Sequence, residues 1–253
     1  MISDRTPNNS GANMLKTSFG TISDQSGADH AIDQMERGDS FSIQEMDAKG
    51  IIHPLTTNKK QLDTYRELRT KLLKKSSGQN FVCMVSSISR GGGASIVALN
   101  LASAIALDKT KTAIIVDCDL YSPSIENTLE LSLSEGITDY LGNQAVDIES
   151  ILHPTGIERL RAITVGGLQE SGAEFFSTER MGQFIGALKN RYPDRYIIID
   201  APPVGITSEA RILSELCDFS VLVVPYGKVT TGQIEASVDA VGANKLAGIV
   251  FNQ

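Results

Sequence analysis

Short, continuously apolar runs alternate along this chain with segments of helical period. Runs rich in β-branched residues lie at Phe81–Val85, Ala113–Val116, Leu160–Val165, Tyr196–Ile199, Phe219–Val224 and Leu246–Phe251. Helical patterns separate most of them, at Ile96–Leu107, Thr178–Tyr192, Ser208–Leu216 and Thr231–Val241. A strand that is apolar throughout must be covered on both faces. Regular alternation with helices then implies an α/β fold: a doubly wound, mostly parallel sheet with helices on both faces. The chain has 253 residues, 41% of them hydrophobic, enough for one such domain and a tail. Residues 1–50 are rich in Ser, Gly, Asn, Asp and Gln with only scattered apolar residues. Such a segment cannot offset its ordering entropy, so a disordered tail is expected over 1–50 and a folded domain over 51–253.

Charge and composition narrow the function classes. The net charge is −7, which argues against a nucleic-acid partner. No apolar run is long enough to span a bilayer, and Met1–Lys16 lacks the apolar core of a secretory signal. A cytoplasmic protein is expected. Cys83, Cys118 and Cys217 are far apart inside apolar stretches and read as buried thiols. His30, His53 and His153 are isolated and read as ordinary surface residues rather than metal ligands. One segment departs from the acidic average. Residues 58–75 show Leu62, Tyr65, Leu68, Leu72 and Leu73 at helical spacing. Lys59, Lys60, Arg66, Arg69, Lys71, Lys74 and Lys75 crowd the same stretch against only Asp63 and Glu67. A basic helix offering a contact surface is the reading.

The chemistry is concentrated at strand ends. The first strand runs into Ser89-Arg90-Gly91-Gly92-Gly93-Ala94-Ser95 and then a helix. Glycines let successive amides point at one centre, and a helix N-terminus adds partial positive charge. Gly91, Gly92, Gly93 and Ser95 therefore read as an anion cradle of the P-loop kind, with Arg90 beside it. A P-loop places a lysine after its last glycine, followed by a Ser or Thr that binds magnesium. Here Ser95 is present, but Ala94 stands at the lysine position and Ile88 at the opening glycine. Two further strands end in acidic motifs, Asp117-Cys118-Asp119 and Asp200-Ala201-Pro202-Pro203. In an open parallel sheet such residues face one crevice. Asp117, Asp119 and Asp200 are the candidate catalytic acids, and Ser95, Asp117 and Asp200 the candidate magnesium ligands.

In this order the motifs resemble the cytoplasmic domain of the bacterial tyrosine autokinases of capsule and exopolysaccharide assembly, in particular the exosortase-associated group. The resemblance runs from Leu62 to Phe251, roughly three quarters of the chain. Tyr65-Arg66-Glu67-Leu68-Arg69-Thr70 is similar to the helical motif by which the family's subunits touch. The resemblance thereby implies that Asp63, Arg66 and Arg69 are subunit-contact residues. Asn100-Leu101-Ala102, Asp117-Cys118-Asp119-Leu120 with Pro123, Glu174-Phe175-Phe176-Ser177 and Arg191–Tyr196 leading into Asp200 also match. The resemblance implies ATP or ADP with Mg²⁺ as ligand. It also implies a membrane polysaccharide co-polymerase, through its cytoplasmic part, or a kinase paralogue as partner, with homo-oligomers, and a position at the inner membrane through that partner.

The departures shape the expected activity. Besides Ala94, Arg90 stands where the family has proline, Gly92 where an acidic residue is common, and Tyr121 and Ser122 where basic residues often occur. No tyrosine cluster comes after the last strand in this sequence. Losing the lysine removes a charge-assisted contact to the phosphates, with an expected loss on the order of 10²–10³ in rate by analogy with an oxyanion donor. The expectation is a P-loop kinase-like component or regulator of exopolysaccharide synthesis, impaired in catalysis. An active ATP-dependent autokinase or ATPase is the alternative. A partitioning-type ATPase is a further one, although its signature lysine is replaced by Ser89.

Overall fold

The computed structural model describes residues 40–131, 135–167, 172–191 and 193–252. The described strands form one seven-stranded sheet. Its strands in chain order are β1 (Val82–Ser87), β2 (Thr112–Asp117), β3 (His153–Pro154), β4 (Leu160–Ile163), β5 (Arg195–Ala201), β6 (Phe219–Pro225) and β7 (Leu246–Asn252). Their spatial order is β3-β4-β2-β5-β1-β6-β7, and every pairing is parallel except that of the two-residue β3. The inner strands β1, β2 and β5 are buried at every position, as apolar runs with no alternation require.

Helices cover both faces. Helices α1 (Ile43–Ala48), α2 (Lys59–Lys75), α3 (Ala94–Ala106) and α4 (Ile125–Thr128) lie on one side. There Leu99, Leu101 and Ile105 of α3 pack against Cys83, Val85, Ile115 and Ile198 of the sheet. Helices α5 (Ile137–Gly142), α6 (Gly172–Phe176), α7 (Glu179–Arg191), α8 (Ser208–Leu216) and α9 (Thr231–Val241) lie on the other. The doubly wound sheet expected from the sequence is what forms. The ends of α8 and α9 coincide with the apolar periodicity, and α9 carries a capping box between Thr230 and Gln233 that sets its start.

Two expectations are corrected. The tail expected over 1–50 lies mostly outside the described residues, but its last part is ordered. Ser42 and Glu45 form a capping box for α1, Met46 is buried, and Phe41 packs against the same core. The buried Asn100 of α3 holds residues 50–52, accepting from the Ile52 amide (2.8 Å) and donating to the Gly50 carbonyl (2.9 Å). His53 is not a surface residue. It is 3% exposed and its ring meets Asp47 at 2.8 Å. His30 and Tyr192 lie outside the described residues. Among the described residues no helix is long and apolar enough to cross a membrane.

Candidate functional site

Strand β1 brings the chain to the carboxyl edge of the sheet and α3 carries it away. Between them residues 88–93 turn tightly. Gly91 and Gly93 have φ of +66° and +83°, a region that side chains with a Cβ avoid. Gly92 is required for space, because a Cβ there would overlap the Ser87 hydroxyl. The start of the loop is held by the Ile88 amide, which donates to the Val223 carbonyl (3.1 Å). Its far side is held by Asn252 of β7, whose side-chain amide donates to the Gly92 carbonyl (3.1 Å). Gly93 caps α3 without any side-chain bond, so the first amides of the helix have no capping partner and suit an anion. Residues 91–95 line an open cavity of about 300 Å³, whose other walls include Arg90, Asp119, Tyr121, Ser124 and Thr207.

The acids occupy distinct places. Asp117 and Asp200 are register partners at the ends of β2 and β5. Asp200 is 1% exposed and neither of its oxygens has a hydrogen-bond partner of good geometry, though the Ser95 hydroxyl is near enough to favour its ionised form. Burial, and then the neighbouring Asp117 charge, hold its carboxyl well above the usual carboxylate range. Asp117 is fully buried and differently employed. One oxygen accepts from the Asp119 amide and the other from the Ser124 and Ile125 amides, all at 3.1 Å. Burial outweighs these bonds and pushes it up to about 6. Asp117 anchors the start of α4, with both oxygens accepting amide bonds. Asp119 lines the cavity. Its Oδ1 accepts from the Tyr121 (3.2 Å) and Ser122 (3.1 Å) amides, and burial raises its carboxyl despite these bonds and the nearby Arg90.

These residues fit a magnesium–phosphate ligand. An unpaired buried carboxylate beside a serine hydroxyl supplies hard oxygen donors. Among the described residues no three His, Cys, Asp or Glu side chains could hold a metal by themselves. Magnesium is commonly bound through one or two carboxylates, its shell filled by water and phosphate oxygens. Ala94 and Ser95 line the cavity together with Asp119, whereas Asp117 and Asp200 are buried and are not among its lining residues.

The expected contact residues on α2 separate. Asp63 and Arg66 are exposed and pair with each other at 3.7 Å. Arg69 is half-buried and donates to the Ala104 carbonyl (2.8 Å), fixing α2 onto α3. Leu62 and Leu72, both 1% exposed, anchor the apolar side of the helix.

Three features of the site are not evident from the sequence. Ser124 lines the cavity with a buried hydroxyl that has no partner. The Tyr121 hydroxyl donates to the buried carboxylate of Glu209 on α8, closing one wall, and that bond raises the phenol above its usual range. Asn252 reaches the loop from a strand more than 150 residues away in sequence. None has a local signal.

Comparison with known proteins gives a consistent picture. No family model matches the chain. The tyrosine-protein kinase CpsD of Streptococcus agalactiae is 27% identical over 198 residues, covering 77% of this chain and 84% of that protein. The tyrosine-protein kinase YwqD of Bacillus subtilis is 28% identical over 202 residues, covering 79% and 82%. Among solved structures, the kinase domain of the Escherichia coli tyrosine kinase ETK superposes with a TM-score of 0.73 at 22% identity, covering 87% of this chain and 82% of that one. The septum site-determining protein MinD of Pyrococcus horikoshii, solved with Mg-ADP, gives 0.55 at 20% identity over 67% and 68%. These structural likenesses speak to the fold.

Proposed function

This chain is a homologue of the bacterial tyrosine-protein kinases, and from that premise we propose that it is a nucleotide-binding, transfer-impaired member of that group serving capsule or exopolysaccharide assembly. One observation carries the proposal. The anion cradle of Gly91–Ser95 keeps its shape and its unpaired Asp200, while the residue that would neutralise the transferred phosphate is Ala94. Binding draws on the loop amides and the helix N-terminus, which are retained. Transfer draws on charge stabilisation over the γ-phosphate, which is diminished. Bound Mg²⁺ would supply charge neutralisation to the phosphates. Ser95 and Asp200 would hold it, and Asp119 would orient its water ligands. Asp117 serves by fixing the loop that carries Asp119 and Ser124.

The exposed basic side of α2 is the surface we assign to the partner, the cytoplasmic part of a membrane co-polymerase or a kinase paralogue. Homo-oligomers through the same helix fit as well. Location in the cytoplasm, at the inner membrane through that partner, accords with this reading. The test is a pair of measurements on the full chain. Calorimetric titration with Mg-ATP and Mg-ADP should show binding, while [γ-³²P]ATP should label the protein little. Labelling or phosphate release at a rate typical of kinases, abolished by Asp200→Ala, would overturn the impaired reading. Absence of nucleotide binding would overturn the reading altogether.

A further inference from the structure

Resting on the nucleotide reading above, we infer that Arg90 takes over the phosphate-binding charge that Ala94 lacks, acting from the rim of the cradle instead of from the helix. Arg90 is exposed and lines the same cavity as Gly91–Ser95. Among the described residues it makes no ion pair, so its charge is not already committed to a carboxylate. Arg90, Asp119 and Tyr121 line one cavity together, so the arginine shares the space that the glycine loop encloses. A guanidinium that lines the same cavity as a run of glycine amides is chemically matched to a phosphate, which it can grip with two parallel bonds. Ser124 supports the same ligand class from across the cavity, since its buried hydroxyl has no partner in the protein. The loop backbone explains how the swap is tolerated. Arg90 precedes Gly91, whose positive φ turns the chain sharply just after the arginine.

A cation at the rim differs from a lysine at the base of the helix. It meets the outermost phosphate oxygens, so its contribution should grow with phosphate count. The experiment titrates the full chain, calorimetrically and in Mg²⁺, with ATP, ADP and AMP, for the native protein, Arg90→Ala and Arg90→Lys. Arg90→Ala should weaken ATP roughly ten- to hundredfold, the range of a hydrogen bond to a charged group, and ADP by less. AMP should be nearly unchanged, and Arg90→Lys should recover part of the loss. Thermal unfolding controls for folding, which an exposed loop residue should not disturb. Equal ATP affinity in native protein and Arg90→Ala overturns the assignment while leaving the nucleotide reading intact. So does an equal loss for all three nucleotides. A native chain that binds none of them overturns both.

Discussion

Ala94→Lys puts the missing charge back where the loop is shaped to use it. The position lines the cavity and is only partly buried, so a longer side chain has room to rise toward the phosphates. Two unit charges 4 Å apart interact by about 4 kcal/mol at the effective dielectric of a protein surface. Much of that is offset by desolvation, leaving roughly 1.5–3 kcal/mol for a hydrogen bond to a charged group. Placing a cation in the first helical turn costs about 0.3–1 kcal/mol against the helix dipole. The net gain of about 1–2 kcal/mol corresponds to roughly five- to thirtyfold tighter ATP binding. The new ammonium would stand next in the chain to Ser95, whose hydroxyl is the neighbour of the buried Asp200 carboxyl. At neutral pH it should draw that carboxyl toward its ionised form and raise the melting temperature of the ligand-free protein. Transfer should gain more than binding, on the order of 10²–10³ in rate, because the charge acts where it develops. Calorimetry and phosphate release with the native chain alongside measure both. A folded Ala94→Lys protein with unchanged or weaker ATP affinity would show that these glycines do not form a phosphate cradle.

Asp200→Asn tests the acids. Asp117 and Asp200 both have folded pKa values raised by burial, Asp117 to about 6. The stability tied to them is complete below the unfolded carboxylate pKa of about 3.9 and is lost as pH rises through the folded values. In chelator, Asp200→Asn should therefore melt higher than the native chain at pH 8 and nearly equal to it at pH 4.5. A gain that is largest at low pH would contradict the assignment. Gly205→Ala should disturb the loop from behind, since its Cβ would collide with the Ile88 carbonyl. A loss of about 1–3 kcal/mol in chemical denaturation is expected, together with weaker nucleotide binding. Leu72→Ala should cost about 2–5 kcal/mol by emptying the anchor of α2, with nucleotide affinity per folded molecule unchanged.

Much of the fold could be read in the sequence because its main strands announce themselves. Ile197–Ile199 and Val221–Val224 are too apolar to lie anywhere but inside a covered sheet, and their end residues, Asp200 and Pro225, mark the crevice. The short elements were illegible for the same physical reason. α1 is six residues long with one buried side chain, so the polar segment around it masks its period. Its capping box, Ser42 with Glu45, was the only local sign. β3 has two residues and exists because His153 and Pro154 lie beside β4. At the site, the loop and the three aspartates could be picked out by motif, but the division of labour among them could not. Whether an aspartate stays open or accepts from the Ser124 and Ile125 amides depends on how the next loop returns.

The bond from Asn252 to the Gly92 carbonyl ties the cradle to an outer strand of the sheet. Outer strands open most readily in local fluctuations, and a segment that opens takes its tethered contacts with it. Loosening of β7 would therefore remove one of the bonds that hold the cradle. Any ligand that holds Gly92 in place acts, through one amide, to quiet β7, whose neighbour β6 also fixes the start of the loop through Val223. If holding Gly92 steadies β7, reciprocity requires that steadying β7 favour the ligand-bound cradle. The far margin of the sheet is thus joined to the pocket by one side-chain amide.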